Sequence, residues 1–71
     1  MTDIKLGDKV EFQAERIMKG NPVQGYVTSI EVEWIEIRLT KDIEGLANSW
    51  EAGEVRPFRV SLIRGEIKKI V

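Results

Sequence analysis

Trp34-Ile35-Glu36-Ile37-Arg38-Leu39-Thr40 alternates in side-chain character along its whole length. Ile35, Ile37 and Leu39 fall on one side, and Trp34, Glu36, Arg38 and Thr40 on the other. A period of two is the signature of a strand with one buried face, so this stretch predicts a β-strand over residues 34–40. Working outward from it, Val10, Phe12 and Ala14 alternate against Glu11, Gln13 and Glu15, which predicts a first strand from Asp8 to about Arg16. Gly20-Asn21-Pro22 is turn chemistry, and Pro22 has no N–H to give to a ladder.

Val23 to Ile30 reads as a second strand whose inward set changes midway. Val23, Gly25 and Val27 share one parity, and Tyr26, Thr28 and Ile30 the other. A strongly bent strand behaves this way, and Gly25 is the expected site of the bend. Glu54 to Val60 is a further strand, with a bulge expected at Arg56-Pro57 so that Val55 and Phe58 both point inward. Ser61-Leu62-Ile63 fits one tight helical turn, and Gly65 to Ile70 a final strand. Between these, Ile43, Leu46, Ala47 and Trp50 recur at helical spacing, which predicts a short helical insert over residues 42–50. Asp42 would cap its start and Gly53 its end, with Leu46 and Trp50 buried.

Strand, long loop, bent strand, hairpin, strand, connection, strand, tight turn and final strand is a plan that resembles the SH3-like small barrels. The resemblance rests on Gly7-Asp8-Lys9-Val10, Gly25-Tyr26-Val27-Thr28-Ser29-Ile30, Ile35-Glu36-Ile37 and Val60-Ser61-Leu62-Ile63. The first two are similar to the opening and the Gly-x-Val-x-x-Ile stretch of KOW-type barrels. It implies an all-β, SH3-like five-stranded small barrel, from which the helical insert is a departure. The acidic-aromatic groove of true SH3 domains is not evident, so proline-rich ligand recognition is not carried over. KOW-type barrels are often found in RNA-associated proteins, which brings nucleic acid into view by analogy.

The chain of 71 residues has room for one domain, residues 1–71, with a thin core. It contains no cysteine and no histidine. Disulfides, thiolate zinc sites, Ser-His-Asp triads and Cys-His pairs are therefore excluded from this chain alone. The Asp-rich loop of a calcium site is absent, so no cofactor is expected. Carboxylate pairs such as Glu31/Glu33 and Glu51/Glu54 have the composition of an acid and a base, but fall where solvated charge is expected. The glycines are isolated, which leaves no phosphate-binding loop. No apolar run long enough for a membrane span or a signal segment is present, and a soluble, cytoplasmic protein is the expectation.

The net charge of −1 conceals an asymmetry. Residues 1–54 carry eleven acidic and six basic side chains, whereas residues 55–71 carry Arg56, Arg59, Arg64, Lys68 and Lys69 against Glu66 alone. One reading makes this a nucleic-acid surface; the other has the late strands paired with acidic neighbours. The candidate binding residues are Trp34, an aromatic on the polar side of its strand, with Tyr26 and Arg38 beside it, and the basic Arg56, Arg59 and Lys68. The expected function is a non-enzymatic interaction module making protein–protein contact or forming a homo-oligomer, with Trp34 at the contact. Nucleic-acid binding through the basic C-terminal strands is the alternative. An active site assembled only at an oligomeric pore is a third form that no residue argues for.

Overall fold

The computed structural model describes residues 4–15, 22–45 and 49–70. It is all-β apart from one turn. The strands are β1 (Lys9–Ala14), β2 (Val23–Ile30), β3 (Trp34–Leu39), β4 (Ile43–Glu44), β5 (Ser49–Trp50), β6 (Val55–Arg59) and β7 (Ile63–Lys69). A single 3₁₀ turn, Val60–Leu62, joins β6 to β7. Five strands form one antiparallel sheet in the order β6-β3-β2-β1-β7, and β4 and β5 form a separate two-stranded ribbon.

The alternation of β3 is obeyed. Ile35, Ile37 and Leu39 are buried, while Trp34 and Arg38 are exposed and Glu36 is intermediate. Val10, Phe12 and Ala14 of β1 and Val23 and Val27 of β2 join them in one core with Ile43 and Phe58. The sheet is strongly curled around this core. Phe12 and Phe58 stand on strands three steps apart, roughly 14 Å across a flat sheet. Their rings nevertheless meet edge to face with centroids 5.4 Å apart. The 3₁₀ turn ties the same rim: Glu15 N–H donates to the Leu62 carbonyl at 2.8 Å and Val60 N–H to the Glu33 carbonyl at 2.9 Å. Among the described residues no ladder joins β6 to β7, so the sheet is curled without being closed.

Three local expectations are corrected. The bulge of β2 lies at Thr28, not Gly25, because the register against β3 steps from Val27↔Ile37 to Ser29↔Glu36. Gly25 has a different task. A Cβ there would run into the Arg38 carbonyl and the Ile37 side chain, so only glycine lets β3 cross this closely.

The bulge expected at Arg56-Pro57 is absent. β6 pairs with β3 without interruption from Val55↔Arg38 to Arg59↔Trp34, leaving Val55 47% exposed while Phe58 is buried. Proline is accepted because β6 is an edge strand. Leu39 N–H donates to Glu54 O at one end of the ladder and Val60 N–H to Glu33 O at the other. The alternation between them sets Pro57 at a non-hydrogen-bonded position, with its missing N–H on the open side.

Among the described residues of 42–50 no helical insert is seen. Ile43 pairs directly across from Trp50 in the β4–β5 ribbon, and cross-strand partners share a face. Their inward direction therefore comes from ribbon register. Gly45 and Ser49 are poor helix formers in any case. Leu46, Ala47 and the Gly20-Asn21 turn lie outside the described residues.

Candidate functional site

The β2–β3 hairpin supplies the exposed aromatics. Tyr26 stands opposite both Lys9 and Arg38, so a row Lys9, Tyr26, Arg38, Val55 crosses β1, β2, β3 and β6 on the outer face. The Lys9 ammonium lies 6.0 Å from the centre of the Tyr26 ring. Trp34 opens the same strand as Arg38, four residues away and therefore roughly 13 Å distant. Its ring carries the Arg59 guanidinium at 5.0 Å, the cross-strand partner from β6. The structure thus places Trp34 with Arg59, and Tyr26 with Lys9 and across from Arg38, as two separate groups.

The remaining basic candidates do not gather. Arg56 shares the core-facing side of β6 with Phe58, while Arg59 lies on the other side. Arg56 bonds Glu54 at 2.8 Å, and its guanidinium stacks on the Trp50 ring at 5.5 Å. Its Nε is buried without a hydrogen-bond partner among the described residues. Lys68 is on β7, the opposite edge of the sheet, directly across from Glu11. Arg64 pairs with Glu15 at 3.0 Å and Lys69 with Asp8 at 3.4 Å. The basic residues of β7 thus face acidic ones along β1 and at its two ends, Glu11, Glu15 and Asp8.

Those contacts also set the acid–base character of two carboxyls. Asp8 is held below its ordinary value chiefly by the Lys5 backbone N–H, at 2.9 Å, with help from Lys69. Glu54 is lowered chiefly by the Glu51 backbone N–H, at 2.6 Å, and then by Arg56. Both are anchors of turns. Among the described residues no group of three or more acidic side chains is arranged to hold a metal ion. No helix there is long and apolar enough to cross a membrane.

The most conspicuous surface is at one end of the sheet, where the β2–β3 turn, the 3₁₀ turn and β7 surround a groove of about 690 Å³. Ile30, Val32, Trp34 and Val60 line it and are all exposed, Val32 at 95%. The Thr28 bulge explains Ile30: it shifts the strand by one residue, so that Ile30 pairs with buried Ile35 and points to the inner side beyond the core. On the far wall, Gly65 takes φ +72°. Three residues of β7, Gly65 to Ile67, there span the place of one, Phe12, on β1. That irregularity brings Glu66 and Ile67 into the groove.

Of these residues, sequence reasoning singled out only Trp34. The change of parity at Ile30 was a signal for the second wall, and Val32 in a hairpin turn another. The β7 wall had no signal, since nothing in Gly65-Glu66-Ile67 announces a bulge. Comparison with protein-family models, curated proteins and solved structures finds no match for this chain. Its function is therefore argued from its own side chains.

Proposed function

We propose that this chain is an SH3-like small barrel acting as a non-enzymatic protein-binding module, with the end groove around Trp34 as its contact surface. Support for the barrel comes from the strand order, the tight turn between the last two strands and the curl that brings Phe12 onto Phe58. The observation that carries the function is the concentration of Ile30, Val32, Trp34 and Val60 in solvent around one concavity. Contiguous exposed apolar side chains in so small a domain mark a surface that another molecule covers. Trp34, with Arg59 stacked on it, has the composition of a binding hot spot.

Sedimentation at several concentrations, alone and with candidate partners, tests this reading. A dimer or complex that Trp34→Ala weakens supports it. A monomer that captures no protein, with Trp34→Ala unaltered in mass and stability, overturns it.

Nucleic-acid binding has less support. Arg56, Arg64 and Lys69 are each already in an ion pair, which leaves little surplus charge to neutralise phosphates. Titration with short single-stranded RNA and duplex DNA at low salt checks it. Association that falls steeply with salt and is lost on replacing Arg56, Arg59 and Lys68 by glutamate would restore that reading.

A further inference from the structure

The groove has a charge as well as a shape. Of its described lining residues, the only ionisable ones are Glu31 and Glu66, on opposite walls. Neither is in an ion pair among the described residues, although Glu15, Asp8 and Glu54 are. Among the described residues no lysine or arginine lines the concavity. An apolar floor between two unneutralised carboxylates is complementary to an apolar segment that brings its own cations.

A second copy of the chain is a poor match. A two-fold contact sets the same patch against itself, so the carboxylates of one copy would face those of the other in a drying interface with no cation from either described lining. An anionic membrane surface or a nucleic acid carries the same wrong sign. Building on the protein-binding reading above, we propose that the end groove receives a short apolar segment of a partner protein flanked by lysine or arginine. Its apolar side chains would seat on Ile30, Val60 and Ile67, and its cations would reach Glu31 and Glu66.

The test uses two synthetic peptides of equal length and apolar pattern, one leucine–lysine and one leucine–glutamate. Binding to the full chain is followed by amide and indole NMR shifts. The lysine peptide should shift Val32, the Trp34 indole and Ile67, and the glutamate peptide should not. Glu31→Lys and Glu66→Lys should each weaken the lysine peptide about five-fold, the upper range for an exposed ion pair. Both sites are exposed, so the variants should fold, which circular dichroism checks. Val32→Asp, at a fully solvated position, should reduce the apolar contact without touching the core.

If both peptides shift the groove equally, the charge inference is overturned and the protein-binding reading stands. The same division follows if neither binds but the chain self-associates through a contact that Val32→Asp disrupts. Lysine-peptide shifts that ignore all three variants place the contact elsewhere and also overturn the inference. A monomer that binds neither peptide overturns it and, where partner capture also fails, the protein-binding reading with it.

Discussion

Trp34 and Trp50 are the two tryptophans of the chain, and each carries an arginine from β6 on its ring. Beyond that they differ. Trp50 is turned inward by the β4–β5 ribbon, across from fully buried Ile43, and its ring meets Phe58 edge to face at 6.0 Å. Trp34 opens β3 on the outer face and remains 39% exposed at the lip of the groove. The same stacked pair therefore serves two ends. At Trp50 it closes a gap over the core; at Trp34 it stiffens a ring that solvent still reaches. Where the strand turns its face, not the aromatic–cation contact, decides which role results.

The core sets the scale on which the two rings can be compared. Ile37→Ala should cost about 2–4 kcal/mol in urea unfolding, because Ile37 is fully buried and its neighbours are held by three ladders. Gly25→Ala should approach the same cost, about 3 kcal/mol, since the backbone of Arg38 cannot yield to a new methyl. Trp50→Ala comes next, at about 2 kcal/mol, as only part of the ring is withdrawn from water. If Trp50→Ala is silent, the ribbon is not a lid and the comparison fails.

Acid should act on the turns that frame both regions. Asp8 and Glu54 have folded-state values below their unfolded ones, so their contribution is full above about pH 4–5. It is lost as pH falls through the folded values. Urea midpoints measured down this range should decline, and Asp8→Asn with Glu54→Gln should flatten the decline. Smallest of all is Trp34→Ala, which should change stability by less than about 1 kcal/mol while removing peptide binding. A loss comparable with that of Ile37→Ala would make Trp34 a core residue and dissolve the distinction.

How far the sequence could be read depended on whether a segment obeys one period. β1 and β3 each keep strict alternation and a single buried face, so their inward residues were legible in residues 9–14 and 34–39. Phe58 was correctly directed inward and Val55 was not. Proline in a strand has two physical solutions, a bulge or an open edge, and only the sheet order distinguishes them. The helical spacing of Ile43 and Trp50 misled for a related reason: a ribbon can set two residues seven apart on one face as well as a helix can. For the groove, Trp34 was legible as an aromatic out of place. Ile67 and Glu66 were not, because a bulge in β7 depends on where β1 holds its partner.

Pro57 and Gly65 bear on what the protein does at high concentration. β6 and β7 are the edge strands of the five-stranded sheet, each with a side free for a stranger. On β6 that side lacks a donor at its middle, and on β7 the repeat is broken by a left-handed residue. An incoming extended chain finds neither edge a regular template for more than a few bonds. Runaway strand addition, the route to fibrils, is thereby obstructed at both ends of the sheet. Replacing Pro57 with a β-branched residue and Gly65 with any L residue would leave the native fold recognisable and should raise the rate of thioflavin-positive aggregation, with the chain's solubility limit falling accordingly.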